Sequence, residues 1–299
     1  MSWITNFSPV ERQRTFYETL PAAPSLSNVV RYYWVIKCGA QAPIAPELLI
    51  PDGFDEIIFA YDSYFTRSTV TGVAVSNNHK GNSYIVGCKS YSVVCSKTSA
   101  LSMVGIKLMP GVLHHLFGIS MHQCKEQPLD FQELGAPTIS VLEDQIHTAT
   151  SPRSIKLLLD THLTQILGHR PARARSATLV DYAIDRIHAS EGACRISDLA
   201  VELAVSSRHL QKLFEQRVGI TPKSLANIVR FKALYQALNN QVGAAPAAIE
   251  QLGIYDQSHL IREFRRYLGR TPKMLFNLSD TLSTEMLKIC LQQENINLQ

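Results

Sequence analysis

The sequence has no hydrophobic stretch long enough to cross a membrane. None of its apolar runs approaches the roughly 18 to 20 residues that a spanning helix needs. The first twenty residues contain Glu11, Arg12 and Arg14 and no apolar segment of the kind that a secretory signal requires. These absences argue against a membrane partner and predict a cytoplasmic protein.

The six cysteines lack the spacing of a metal or redox site. They contain no Cys-x-x-Cys pair, and no Cys/His group has zinc-finger spacing. Scattered thiols are typical of a reducing compartment. We therefore expect free cysteines and no structural zinc.

Motifs for catalysis are missing as well. The sequence has no Gly-x-Ser-x-Gly, no phosphate-binding glycine loop and no His-Glu-x-x-His. A metal-dependent barrel enzyme needs several histidines on neighbouring strands, but His79 is the only histidine before His114. His114 and His115 are adjacent, so on a helix they would point about 100° apart. We predict no catalytic residues, no metal site and no cofactor.

The 299 residues are enough for about two domains, and the charge is distributed unevenly between them. Residues 1–170 carry 13 basic and 13 acidic side chains, and residues 171–278 carry 15 basic and 9 acidic ones. The last 21 residues have 1 basic and 3 acidic side chains. A basic block beside a neutral one points to a polyanionic partner for the second block.

The first block has the pattern of a β-barrel followed by helices. Short β-branched and aromatic runs alternate with glycine-containing turns, which is typical of small barrels and sandwiches. The predicted strands are Val29–Lys37, Glu56–Tyr61, Thr69–Val75, Tyr84–Cys88, Tyr91–Cys95 and Val104–Leu108. After Pro110 the period becomes helical, with helices predicted near Val112–Phe117, Ile139–Thr148 and Ser154–Leu167.

The second block reads as helical throughout. Residues 168–177, with one proline and three arginines, have the composition of a linker. The helices predicted after it are Leu179–Ala189, Ile196–Leu203, Ser207–Val218, Pro222–Leu238, Pro246–Leu252, Gln257–Leu268 and Pro272–Asn277.

The second block contains an internal repeat with a period of 50 residues. Eight identities share this one offset, which indicates two copies of one supersecondary unit. His209-Leu210, Phe214, Gly219, Thr221-Pro222-Lys223 and Leu225 recur as His259-Leu260, Phe264, Gly269, Thr271-Pro272-Lys273 and Leu275. Each copy has the pattern of a helix, a short turn and a second helix, which is a helix-turn-helix unit.

Polar side chains occupy the remaining face of both second helices. Arginine and lysine can read guanine, and glutamine can read adenine, in the major groove of DNA. A polar helix face is often only solvated, but two such faces in the only basic part of the chain favour DNA reading. The candidate DNA-binding residues are Arg208, Gln211, Lys212, Gln257, Ser258, His259, Arg262 and Arg266. The joining helix would hold these two faces near one DNA turn apart.

This arrangement resembles the AraC/XylS family of bacterial transcription regulators. The second unit matches through Gly253 to Leu260, Arg262, Phe264, Arg265-Arg266, Gly269 and Thr271-Pro272, and the first through Ile196, Leu199-Ala200, His209-Leu210, Phe214, Gly219 and Pro222. The resemblance implies an α+β protein with a cupin-like effector or dimerisation domain (1–167), a linker (168–177), a double helix-turn-helix domain (178–278) and a tail (279–299). It also implies base-facing roles for Arg208, Gln211 and Lys212 in the first unit and for Gln257, Ser258, His259 and Arg262 in the second.

Three positions depart from the family pattern. Ala204 stands where the family usually has glycine, Ile249 where it usually has alanine, and Leu275-Phe276 where Tyr-Arg often closes the domain. None of these changes removes a side chain expected to contact DNA.

The first block resembles the cupin-like domains that precede such DNA-binding domains. The resemblance lies in Pro51-Asp52-Gly53 and in the run from Val104 to Gly111. The two resemblances together imply promoter DNA as a partner, with a small-molecule effector, a second copy of the chain and, for an activator, RNA polymerase as further partners. Side chains that could line an effector pocket in the barrel are Arg31, Tyr32, Trp34, Phe59 and Tyr61. The alternative is that these aromatic residues only fill the barrel.

Three other protein classes share parts of this pattern. A cupin-like enzyme with a helical appendage would need a cluster of acids and histidines in the barrel. A repair protein of the methyl-acceptor type would need clustered reactive cysteines. An architectural DNA-binding protein would lack sequence preference. The sequence favours a regulator that is not an enzyme.

Overall fold

A computed structural model of the chain has a sheet-rich first part and a helical second part. It describes residues 3–4, 14–42, 46–61, 63–70, 72, 74–80, 83–97, 99–124, 128–134, 137–168, 179–240 and 257–269. The predicted linker after Gly168, the helices predicted at 246–252 and 272–277, and the tail lie outside the described residues.

Ten strands build the first part. They are β1 Thr15–Leu20, β2 Val30–Cys38, β3 Glu47–Leu49, β4 Asp55–Tyr61, β5 Tyr64–Thr69, β6 Ala74–Lys80, β7 Tyr84–Val86, β8 Val93–Lys97, β9 Leu101–Leu108 and β10 Leu129–Asp130. The strands predicted at β2, β4, β7, β8 and β9 are confirmed to within three residues at each end.

The predicted strand Thr69–Val75 is wrong. Thr69 is the last residue of β5, and the Gly72 backbone N–H donates to the Thr69 carbonyl at 2.9 Å. This turn separates β5 from β6, so the β-branched residues on either side belong to two different strands. Strands β1, β3 and β10 were not predicted.

The strands form two sheets, and the predicted closed barrel is corrected. A six-stranded sheet has the order β1-β2-β9-β4-β7-β10, and a four-stranded sheet has the order β3-β8-β5-β6. Among the described residues, no edge strand of one sheet pairs with an edge strand of the other. Two of these edge strands are very short, since β10 has two residues and β3 has three. The hydrogen bonding of each sheet ends at these strands, and the two sheets do not join into a closed barrel.

Both faces of the larger sheet are buried. Side chains alternate between faces along a strand, and on β2 this places Tyr33 and Val35 in a core with the following helices, and Tyr32 and Trp34 in a second core beneath the smaller sheet. The helices of the first part are α1 Val112–Phe117, α2 Phe131–Leu134, α3 Pro137–Thr148 and α4 Pro152–Gly168.

The second part is helical, as predicted. Its described helices are α5 Leu179–Ala189, α6 Ile196–Glu202, α7 Ser207–Arg217, α8 Pro222–Asn240 and α9 Gln257–Leu268. Their buried side chains form a third core, which includes Leu199, Leu210, Phe214 and Phe264 and is joined by Cys88 of the first part.

The two parts are in direct contact near the ends of α7 and α9. Gly219 and Gly269 follow these helices with φ of 85° and 66°, which is the left-handed conformation that ends a helix. A Cβ at Gly219 would lie 3.0 Å from the Met121 carbonyl oxygen, and one at Gly269 would lie 3.2 Å from Val70 Cβ. Glycine is needed at both positions for the backbone angle and for the close approach.

Candidate nucleic-acid interface and cavity

The first helix-turn-helix unit consists of α6, a four-residue turn and α7. Ser206 caps α7, since its Oγ accepts a hydrogen bond from the His209 backbone N–H at 3.1 Å. Ala204 in the turn has φ of 54°, so the alanine that replaces the family's glycine keeps the left-handed backbone. The Val205 N–H donates to the Ala200 carbonyl at 3.0 Å, which closes the end of α6 against the turn.

Helix α7 separates its apolar and polar residues cleanly. Leu210 and Phe214 are fully buried against α5 and α8. The predicted base-facing residues Arg208, Gln211 and Lys212 are all exposed on the opposite face. Gln211 Nε2 donates to Glu215 Oε1 at 3.0 Å, which orients one of these side chains along the helix.

Helix α9 lies at the position that the repeat predicts for the second helix of the second unit. Phe264, Tyr267 and Leu268 are buried, and Arg262 and Arg266 are exposed. The helix covers the positions of Gln257, Ser258 and His259, but their side chains lie outside the described residues, as does the turn before them. Helix α8 lies between α7 and α9 in the chain and has 19 residues, which at 1.5 Å per residue is about 28 Å.

A cavity of about 230 Å³ lies between the two sheets and is closed on one side by α8. Its walls include Tyr32 and Trp34, two of the predicted pocket residues, together with Phe231 and Lys232 of α8. The prediction is wrong for Phe59 and Tyr61, because they point to the other face of β4, where Tyr61 Oη donates to the Glu143 carbonyl at 2.8 Å. Arg31 is half-buried and does not line this cavity.

Charged side chains that were not predicted to line a pocket also line this cavity. Lys107 Nζ lies 2.7 Å from a carboxylate oxygen of Asp52 and 2.7 Å from one of Glu56. Burial alone would lower the pKa of Lys107, but these two carboxylates raise it above its usual range. Glu56 also accepts a hydrogen bond from Trp34 Nε1 at 3.1 Å, so this ion group holds the indole in place. The other basic side chains among its lining residues are Arg67, Lys89, Lys97 and Lys232. The only sequence signal for Arg67 was its position close to the aromatic residues Tyr64 and Phe65.

Phe231 connects the cavity to helix α9. Its ring centroid is 4.6 Å from that of Tyr267 and 5.3 Å from that of Phe264. The Tyr267 carbonyl also accepts a hydrogen bond from Ser92 Oγ of the first part. A side chain that lines the cavity therefore packs on the buried face of α9.

Among the described residues, no helix is long and apolar enough to span a membrane. No group of three or more His, Cys, Asp and Glu side chains within the described ranges is placed to hold a metal ion.

Comparison with known proteins places a DNA-binding module in the second part. Residues 199–277 match a family model described as a helix-turn-helix domain. The chain is thus a DNA-binding transcription regulator. The module is of the AraC type, which confirms the resemblance drawn from the repeat.

The first part matches a second family model, and solved structures show a weaker overall likeness. Residues 18–130 match a domain of unknown function (DUF6597). ToxT from Vibrio cholerae is 14% identical with a TM-score of 0.42, over 89% of this chain and 99% of that one. ToxT bound to (E)-4-(8-methylnaphthalen-1-yl)but-3-enoic acid is 13% identical with a TM-score of 0.43, over 87% and 98% of the two chains. No curated protein matches the chain.

Proposed function

We propose that the protein reads promoter DNA with two recognition helices, α7 and α9, and that a small molecule in the cavity controls it. In this proposal residues 1–167 form the sensing and dimerisation domain, 168–177 the linker, 178–278 the DNA-binding domain and 279–299 the tail. The observation that carries it is α7, a capped helix after a tight turn, with Arg208, Gln211 and Lys212 exposed on the face opposite its core.

Affinity and specificity come from different contacts in this proposal. Lysine and arginine contacts to phosphates supply affinity that is independent of sequence. Side chains on the exposed faces of α7 and α9 read base edges in successive major grooves. Helix α8 is about 28 Å long, close to the roughly 34 Å of one DNA turn, which suits two units on one side of the duplex.

Control by the cavity would act through Phe231. A molecule in the cavity touches Phe231, and Phe231 packs on Phe264 and Tyr267 of α9. A bound molecule that shifts the Phe231 ring changes the packing of α9 on α8. The distance and angle between the two recognition helices then change as well. A second copy of the chain and RNA polymerase remain predicted partners.

The test is selection of genomic fragments by the full-length protein. A shared motif of about 20 bp, two half-sites one turn apart, is expected. Fragments without a common motif would favour an architectural protein. Affinity for the selected site should fall by roughly a thousandfold or more between 50 and 200 mM salt if six or more phosphates are contacted. Binding that barely changes over this range would contradict the proposal.

Variants on α7 separate the reading of bases from the effect of general charge. Arg208→Ala and Lys212→Ala on α7 should weaken binding to the selected site. Arg153→Ala is the matched control, because Arg153 is an exposed cation on α4 of the first part. Equal loss with all three variants would mean that net charge rather than α7 determines binding.

A further inference from the structure

Cys95 is the one cysteine among the described residues that line the cavity. It lies on β8 between Val93 and Lys97, and these three alternate side chains all line the cavity. Cys95 is half-buried and forms no disulfide with another described cysteine. A molecule that enters the cavity can therefore reach its thiol.

The other described cysteines are in different surroundings. Cys38, Cys88 and Cys124 are buried to 2% exposure or less. Burial raises the pKa of Cys124 to about 12 and holds that of Cys88 well above its usual range, so both remain neutral thiols. Lys97 Nζ lies 3.3 Å from Cys38 Sγ, but Cys38 is not among the cavity-lining residues. Cys194 is half-buried and lies in the helical part, outside the cavity lining, which makes it the matched comparison for a reactive thiol.

A buried cation lies beside Cys95. Arg67 of β5 is its direct cross-strand partner, and residues opposed in this way on one face have Cβ atoms about 4.5 to 5.5 Å apart. Burial alone would lower the pKa of Arg67, but the charges of Tyr84 and then of Cys95 raise it above its usual value. A neighbouring cation favours the thiolate form of a cysteine, and the thiolate is the nucleophile. Cys95 is thus the cavity residue whose surroundings favour a reactive thiol.

Arg67 is held in one orientation and keeps two donors that the described residues do not use. It is 5% exposed, and its Nη2 donates to Tyr84 Oη at 2.5 Å. Its Cζ is 5.0 Å from the Phe65 ring centroid and 4.8 Å from that of Tyr84. Its Nε and Nη1 are buried and have no hydrogen-bond partner among the described residues. A buried charged donor without an acceptor is costly, so an oxygen acceptor placed in the cavity next to Cys95 would be stabilised there.

Lys89 supplies a group that can exchange a proton in the same cavity. It lines the cavity with Arg67 and Cys95. Burial, and then the charge of Arg67, lower the pKa of Lys89 to about 7, while Cys95 and Glu56 act in the opposite direction. Near pH 7 the amine is therefore present in both its neutral and its protonated form. It can accept the proton of a thiol and return it.

We propose that the cavity captures a small α,β-unsaturated aldehyde or ketone, and that Cys95 forms the covalent bond to it. This inference rests on the proposed function of the cavity as an effector site. The unused donors of Arg67 suit the carbonyl oxygen, and the thiolate of a cysteine is a strong nucleophile for the conjugated carbon. The volume of about 230 Å³ lies below the roughly 300 to 1,000 Å³ of drug-sized sites, so the ligand is small. An uncharged carbon skeleton suits the aromatic and aliphatic walls, which include Tyr32, Trp34, Ile36, Ile58 and Met103.

The reaction is a conjugate addition. The thiolate sulfur of Cys95 forms a bond to the β-carbon of the ligand, and the π electrons of the C=C bond move through the conjugated system to the carbonyl oxygen. Nε and Nη1 of Arg67 donate hydrogen bonds to this enolate oxygen. The proton released by the thiol passes through Lys89 to the α-carbon, so the product contains every atom of both reactants. The step needs no oxidant and releases no leaving group.

The experiment compares a conjugated aldehyde with its saturated analogue. The probe is trans-cinnamaldehyde, and the control is 3-phenylpropanal, which has the same carbon skeleton and aldehyde but no conjugated double bond. Each is incubated with the full-length protein, borohydride is added, and peptide mass spectrometry locates the product. Borohydride reduces the carbonyl, so the thioether cannot revert, and any imine on a lysine is kept as an amine. We expect cinnamaldehyde to label Cys95 at least about tenfold faster than Cys194, and 3-phenylpropanal to leave Cys95 unlabelled.

Variants separate the reacting thiol from the group that assists it. Cys95→Ser should abolish labelling on β8, whereas Cys194→Ser should leave Cys95 labelled at the wild-type rate. Arg67→Gln should slow the labelling of Cys95 by about tenfold or more, because a charged hydrogen bond to the enolate is lost. The same variant should slow labelling by iodoacetamide less, because that reaction forms no enolate. Arg31→Gln, which removes a cation of β2 outside the cavity, should leave both rates unchanged.

Several results would overturn the assignment. It is wrong if another cysteine of the folded protein reacts as fast as Cys95, if 3-phenylpropanal labels Cys95 equally, or if Arg67→Gln keeps the wild-type rate. If Arg67→Gln does not fold, wild type decides alone, because Cys95 and Cys194 should react at similar rates once urea has unfolded the chain. Binding to selected DNA is measured on the same samples. Sequence-specific DNA binding without a Cys95 adduct rejects the covalent capture alone, whereas absence of sequence-specific DNA binding rejects the proposed function.

Discussion

Replacing Ala204 by glycine should stabilise the protein, although the change removes a side chain. Ala204 is exposed and has φ of 54° in the turn between α6 and α7. A residue with a Cβ is destabilised by about 1 to 2 kcal/mol in this left-handed conformation, and glycine is not. Glycine also lowers the free energy of unfolding by about 0.4 to 1 kcal/mol, because it makes the unfolded chain more flexible. The free energy of unfolding should therefore rise by about 0.5 to 1 kcal/mol.

The matched control is the same substitution in a helical setting. Ala189 is also exposed and is the last residue of α5, so Ala189→Gly should lower the free energy of unfolding by about 0.5 to 1 kcal/mol. Urea unfolding followed by far-ultraviolet circular dichroism measures both variants, and opposite signs are expected. If Ala204→Gly destabilises as much as Ala189→Gly, the turn does not have the left-handed backbone described above. DNA affinity of Ala204→Gly should stay at the wild-type value, because no DNA-facing side chain changes.

Three further substitutions test the protonation of a buried carboxyl group, the packing of Trp34 and the contact of α9 with DNA. Burial raises the pKa of Asp55 to about 7, so the folded protein holds a proton that the unfolded chain has released. The contribution of Asp55 to the free energy of unfolding should fall as pH rises from about 4 to 7. In urea titrations Asp55→Asn should therefore flatten the dependence of the free energy of unfolding on pH. An unchanged dependence would mean that other groups cause it. In Gly105→Ala the new Cβ would lie 1.9 Å from Trp34 Cε2. Overpacking should lower the free energy of unfolding by about 1 to 3 kcal/mol and shift the tryptophan emission. An unshifted emission spectrum would contradict this packing. Arg262→Ala should cost about 1 to 3 kcal/mol on the selected site and relax preference at one base; a uniform loss across sequences would identify a phosphate contact instead.

The helical half was largely predictable because its signals are local. The bounds of α5 and α9 match the prediction, and α6, α7 and α8 differ from it by no more than two residues at one end. Caps, C-terminal glycines and a period near 3.6 residues act over a single turn of helix, so the sequence contains them. The repeat then indicated which helix face would be exposed, and the structure confirms that exposure for Arg208, Gln211 and Lys212.

The cavity was only partly predictable because its signals are not local. Strand β4 is apolar on both faces, so its sequence does not say which face meets the helices and which meets the smaller sheet. Phe59 and Tyr61 therefore lie on the side opposite to the one expected, whereas Tyr32 and Trp34 line the cavity. Arg67 was missed because its burial depends on Phe65 and on Tyr84, which is 17 residues away.

The contacts at Gly219 and Gly269 allow the first part to set the distance between α7 and α9. Gly219 follows α7 and Gly269 follows α9, and each lies close to a different point of the sheet-rich part, at Met121 and at Val70. Because both helix ends contact the same sheet-rich part, these contacts fix the separation of α7 and α9 in addition to α8. A chain shortened to the helical part would have only α8 to hold the two helices apart. It should accept half-site spacings that the full-length protein rejects.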